Sequence, residues 1–169
     1  MGRRGFSLIE LLIVATIILI IAAIAIPNLL RSKMAANEAS CVGTLRVLNN
    51  SEVTYNMTYN SGFTGGLNVL GPPPSGQQPT YLNADLVDRN LAGLEQLGSD
   101  TGFVKSGYIF TIGNCTKVTV NGTDRITSYT VTAVPQTVGK TGDSGYCSDQ
   151  FGSIKYDPTG STNCTQLVQ

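Results

Sequence analysis

The chain has 169 residues, eleven basic and eleven acidic, and charged residues make up only 13% of it. Zero net charge leaves no general electrostatic field for nucleic acid, so no such partner is expected. The sequence contains no His, which removes the usual general base and, with it, Ser-His triads and metal-activated hydrolysis; no catalytic residue, metal or cofactor is assigned.

Gly5 to Leu30 reads GFSLIELLIVATIILIIAAIAIPNLL and is almost wholly apolar from Leu8 to Ile26. A helix of about 20 such residues matches a hydrocarbon core of about 30 Å. Arg3 and Arg4 precede the run with no acid beside them, which places the N-terminus on the cytoplasmic side and the rest of the chain outside. Within the run stands Glu10. A carboxylate there costs roughly 2.5–3.5 kcal/mol on insertion scales and calls for a neutralising partner. No Lys, Arg or His follows before Arg31. Cutting after Gly5 would supply one, a cationic α-amino group on Phe6. Pro27 removes a backbone donor and crowds the Ala23 carbonyl, so a bend or local melting is expected over residues 22–27. Ala22, Ala23 and Ala25 are small enough to let other helices approach closely.

The helix should continue past the membrane. Met34, Cys41, Leu45, Leu48, Tyr55 and Tyr59 recur at helical spacing with Val42 beside them, whereas Arg31, Lys33, Asn37, Arg46, Asn49 and Asn50 lie off that stripe. A helix over residues 6–59 would be on the order of 80 Å long. From Asn60 to Gly107 the glycines and the Gly71-Pro72-Pro73-Pro74-Ser75-Gly76 cluster punctuate loops, with one short helix expected from Ala84 to Ala92, capped by Asn83.

Strand patterns begin after Gly107. Tyr108, Phe110 and Ile112 alternate with smaller residues, as do Tyr129, Val131 and Ala133 within Ile126 to Val134. Val118 and Val120 lead into a hairpin turn at Asn121-Gly122. Tyr146 to Phe151 and Ser153 to Tyr156 form a last hairpin near Gly152, and Asp157 to Gln169 reads as irregular. The fold class is α+β: a spine helix covered by a three- or four-stranded antiparallel sheet. Gly139-Lys140-Thr141 copies three letters of a phosphate loop but lacks its upstream Gly and reads as a turn. Asp143, Asp149 and Asp157 read as solvated carboxylates, with calcium binding as the alternative. Cys41, Cys115, Cys147 and Cys164 all lie beyond the membrane run, where disulfides can form, and allow three pairings.

The N-terminal residues resemble the type IV pilins and the pseudopilins of type II secretion. The family's class III signal is a short basic leader, a Gly, a cut before Phe and a Glu as fifth mature residue, matched here by Met1 to Arg4, Gly5, Phe6 and Glu10. The Pro that many members carry further along the helix matches Pro27. The resemblance implies the type IV pilin fold, cleavage between Gly5 and Phe6 by prepilin peptidase and N-methylation of Phe6. It also implies assembly through inner-membrane machinery into a helical filament of identical or related subunits, where Glu10 would meet a neighbour's Phe6 amine; before assembly the helix would sit in membrane lipid. It further implies a disulfide between Cys147 and Cys164, which leaves Cys41 with Cys115. Residues 1–5 would be leader, 6–30 the membrane and filament-core helix, 31–59 its amphipathic continuation, 60–107 a connecting region and 108–169 the sheet. A disulfide-rich head favours a pilus over a secretion pseudopilus. Two rival readings are a twin-arginine export signal cut near Ala23 to Ala25, which leaves Glu10 unexplained, and a plain membrane anchor.

Overall fold

The structure, a computed structural model, describes residues 6–94, 102–120 and 122–168. The leader, Gly5 and Asn121 lie outside the described residues. One helix, α1 (Leu8–Tyr59), runs for 52 residues, which at about 1.5 Å each gives a rod of about 80 Å. It ends where Asn60 turns left-handed (φ 49°), its N–H still bonded to the Asn56 carbonyl at 2.9 Å. Gly62 then passes so close to Ile126 that a Cβ would lie 2.5 Å from its carbonyl oxygen, and with φ +86° only glycine fits there. A single 3-10 turn follows at Leu67–Leu70.

Among the described residues, six strands form one antiparallel meander in chain order: β1 (Gly102–Lys105), β2 (Tyr108–Val120), β3 (Thr123–Pro135), β4 (Gly145–Asp149), β5 (Ile154–Asp157) and β6 (Gln166–Leu167). Alternate residues face inward: Tyr108, Phe110 and Ile112 on β2, and Tyr129, Val131 and Ala133 on β3, are all buried. They pack on Cys41, Leu45, Leu48 and Tyr55 of α1. The α+β layout, one long helix and one antiparallel sheet, is that of the pilin fold.

The sheet has six strands rather than three or four. β1 was hidden in the stretch read as connecting region. Its pairing with β2 depends on the Ser106-Gly107 turn, where both residues have positive φ (50° and 74°), the geometry that matches strand twist in two-residue hairpins. β6, two residues long, lies in the segment read as irregular. The Tyr108 and Val120 patterns belong to a single strand, bent by a bulge between Gly113 and Thr116. Gly152 (φ 74°) makes the β4–β5 turn as expected.

The helix expected from Ala84 to Ala92 is absent. Its leading N–H groups bond outward, Ala84 to the Val69 carbonyl at 2.8 Å, Asp85 to Gly71 at 2.9 Å and Leu86 to Leu70 at 2.8 Å, and Asp85 is left-handed (φ 55°). Burial of Ala84, Val87, Leu91 and Ala92 against the core outweighs the modest preference of that sequence for helix. α1 also runs unbroken through Pro27, without the expected melting: a proline takes one backbone donor from a helix, and the long apolar helix on either side continues past it.

Candidate assembly interface

Both halves of α1 are helical, but only one is covered. Cys41, Leu45, Leu48 and Tyr55 are buried, whereas Leu8 through Leu30 present Leu, Ile and Val side chains on every side, none of them buried. The most apolar stretch of 18 residues has a mean hydropathy of 3.0, long and apolar enough to cross a membrane. Each such side chain gains about 1.5–3 kcal/mol when fully removed from water, so this half requires lipid or other copies around it. Hydroxyls in and just after this stretch bond back to the helix itself. The Thr16 hydroxyl donates to the Leu12 carbonyl at 2.8 Å, and the Ser32 hydroxyl to Asn28 at 3.0 Å.

Glu10 stands in the first turn, three residues after the N-cap Ser7, where the positive end of the helix dipole favours a carboxylate. Phe6 precedes it, 73% exposed. The first basic side chain along the helix, Arg31, is 21 residues and about 30 Å away. Among the described residues, no basic side chain lies along the helix near enough to give Glu10 a counter-charge. Pro27 lies at the far end of the same exposed surface, and Gly5, on the other side of the expected cut, lies outside the described residues.

The head is fixed to α1 by polar contacts as well as by its core. The Glu38 carboxylate accepts the backbone N–H groups of Asp143 and Ser144 at 2.8 and 3.2 Å, and the Asn37 amide donates to the Thr141 carbonyl at 2.8 Å. Asn49, expected off the buried stripe, is only 6% exposed: its amide donates to the Ser148 hydroxyl at 2.6 Å and its carbonyl accepts the Tyr129 hydroxyl at 3.3 Å. Glu52, fully buried, is held by Thr64. Spacing on the helix could have flagged Asn49 and Glu52, since they fill the face between Leu45, Leu48 and Tyr55.

Cys147 and Cys164 are bridged, with 6.0 Å between their Cα atoms, and tie the C-terminal segment to β4. Cys41 and Cys115 are free thiols, which corrects their expected pairing. Cys41 packs beside Glu38, Tyr108 and Tyr146, whereas Cys115 lies near Glu52 and Lys117. Eleven helical residues separate Cys41 from Glu52, about 16 Å, and seven strand residues separate Tyr108 from Cys115, about 23 Å. A disulfide spans no more than about 7 Å between Cα atoms. Burial, aided at Cys41 by the Glu38 charge, raises both thiols above their ordinary range and keeps them protonated.

The carboxylates near the last hairpin serve local turns. Asp149 accepts the Phe151 N–H at 3.0 Å and the Ser153 hydroxyl at 3.2 Å, and Asp157 accepts the N–H and hydroxyl of Thr159, both at 2.8 Å, and the Ser161 hydroxyl. Among the described residues, no three His, Cys, Asp or Glu side chains are grouped to hold a metal ion. Gly139-Lys140-Thr141 is a turn, closed by Lys140 and Thr141 N–H groups on the Thr137 carbonyl.

Residues 1–26 match the family model of the prokaryotic N-terminal methylation motif. This is the class III signal of type IV pilins and pseudopilins, a structural kind of protein, and it supports a pilin or pseudopilin-like precursor. The motif implies processing by prepilin peptidase and assembly with other pilin subunits, and with the apolar helix it points to membrane anchoring of the precursor. No solved structure matches the chain.

Proposed function

We propose that the chain is the structural subunit of an extracellular type IV pilus: cleaved between Gly5 and Phe6, N-methylated on Phe6, and polymerised through residues 6–30 with the head displayed outward. The observation that carries this reading is the uncovered half of α1 with its lone Glu10. In a stack of such helices the apolar side chains cover one another, and the Phe6 ammonium of one subunit neutralises the Glu10 carboxylate of the next. Pro27, at the end of this surface, would let the helix adjust to its neighbours on assembly. The stapled C-terminal segment favours a pilus over a secretion pseudopilus, since it braces a head that remains outside the cell.

Processing is tested at Gly5. The peptidase must accommodate residue 5 beside the scissile bond, and a β-branched side chain fills that space. Gly5→Val should leave full-length precursor in the membrane, as read by mass on immunoblot. Normal amounts of mature protein from that variant would exclude the class III route.

A further inference from the structure

Glu52 lies two turns before the end of α1, facing the sheet, with its side chain wholly buried. A carboxylate in such a place ordinarily has a cation beside it. The hydrogen bonds that hold Glu52 come from a neutral residue. Both oxygens are held instead by one residue of the loop that follows the helix: the Thr64 N–H donates to Oε2 at 2.8 Å and the Thr64 hydroxyl to Oε1.

The surroundings are as sparing. Cys115 of β2 and Tyr129 of β3 lie close enough to feel a charge on Glu52. Lys117 and Asp124 line the cleft beyond Thr64, and the Arg125 guanidinium turns to Asn60 Oδ1 at 3.5 Å. On α1 itself, Tyr55 is committed to the Tyr81 carbonyl at 2.8 Å. The loop has few other attachments, chiefly the Phe63 N–H on the Ile126 carbonyl at 2.9 Å and the Phe63 ring edge-on to Tyr129 at 5.0 Å. Ser61 Oγ and Arg125 Nε are buried in the same junction without a partner, so its polar groups are incompletely satisfied.

We propose that Glu52 and Thr64 form a proton-linked latch that fastens the 61–66 loop, and with it the distal face of the head, to the spine helix. The loop is one wall of an apolar cleft of about 370 Å³ that also includes Val69, Tyr81, Leu82 and Ile126, and release of the latch opens that wall. Burial pushes the Glu52 carboxyl up to about 7, against the pull of its two hydrogen bonds from Thr64. The closed loop therefore holds a proton that the open loop, with an ordinary carboxyl near 4.5, gives up. Closure is strongest below that lower value and weakens as pH rises through about 7.

Hydrogen exchange by NMR on the full chain in detergent micelles tests the latch. After correction for intrinsic exchange, opening at the Phe63 and Thr64 amides should increase roughly fifty- to a hundredfold between about pH 5 and 8, since each unit of pKa difference contributes up to tenfold. The Gln136 and Val168 amides, bonded to the Gly107 and Ile154 carbonyls, should show no such change. Glu52→Gln keeps an acceptor for the Thr64 N–H and a donor for its hydroxyl, and should flatten the profile. Thr64→Val keeps the N–H but loses the hydroxyl bond, and should move the transition to higher pH. A wild-type profile no steeper than the control amides, or a pH dependence that survives in Glu52→Gln, would overturn the proposal.

Discussion

The two halves of α1 share one backbone conformation and opposite fates. In residues 31–59 polar side chains recur between the apolar ones, so only one face needs cover, and a six-stranded sheet supplies it. In residues 8–30 the apolar residues surround the axis and none of the described residues covers them. A helix with one apolar stripe can be satisfied by its own domain, whereas a helix apolar all round must be satisfied by something outside the subunit. Glu10 sharpens the contrast with Glu52: Glu52 has its hydrogen-bond donors on Thr64, whereas no basic side chain among the described residues stands along the helix near Glu10.

The largest effect should come from Glu10→Gln. Removing the charge eases membrane insertion, so cleaved subunit should still accumulate. Filament yield, however, should fall steeply, because an ammonium left unpaired in an apolar core costs on the order of 3–5 kcal/mol, or two to four decades at about 1.4 kcal/mol each. Shearing cells and probing the released fraction measures this. Filaments at wild-type yield would remove the salt bridge from the account.

A paired substitution separates the halves directly. Leu45→Ala, in the covered half, should destabilise the head by about 2–5 kcal/mol, read by denaturant titration of the full chain in micelles. Leu19→Ala, in the uncovered half, should leave that transition where it is. Comparable losses from both would mean that the halves are not energetically distinct.

The smallest predicted loss concerns the staple. Reducing the Cys147–Cys164 bridge, which closes a loop of 17 residues, should lower the stability of the head by about 2–4 kcal/mol. In the oxidised protein both Cys41, buried, and Cys115, partly buried, should alkylate once the head is unfolded. A protein in which neither reacts even when unfolded would carry the second bridge after all.

Much of the architecture was legible because hydrophobic periodicity reports burial. The helix from Leu8 to Tyr59, the inward triplets Tyr108, Phe110, Ile112 and Tyr129, Val131, Ala133, and the Gly152 turn all follow from patterns of 3.6 and 2. What escaped depends on contacts distant in sequence. The 84–92 stretch has a helix-compatible composition, yet its backbone is claimed by the 69–71 segment. β1 is too short to show a period, and Cys41 and Cys115 could be separated only after the register of β2 on the helix was known. The class III signal was legible throughout, because it is read by an enzyme as a linear string rather than by packing. Helical spacing places Glu52 on the covered face, but not its hold on Thr64, which depends on the path of the loop after the helix.

The most direct test of the account is the mass of the subunit recovered from sheared surface filaments. The predicted species begins at Phe6, carries one N-terminal methyl group, and contains one disulfide and two free thiols. A filament-free surface with all protein beginning at Met1 would mean a plain anchor, and a subunit beginning near Ile26 would mean a discarded export signal. Either result would contradict assembly through the uncovered half of the helix.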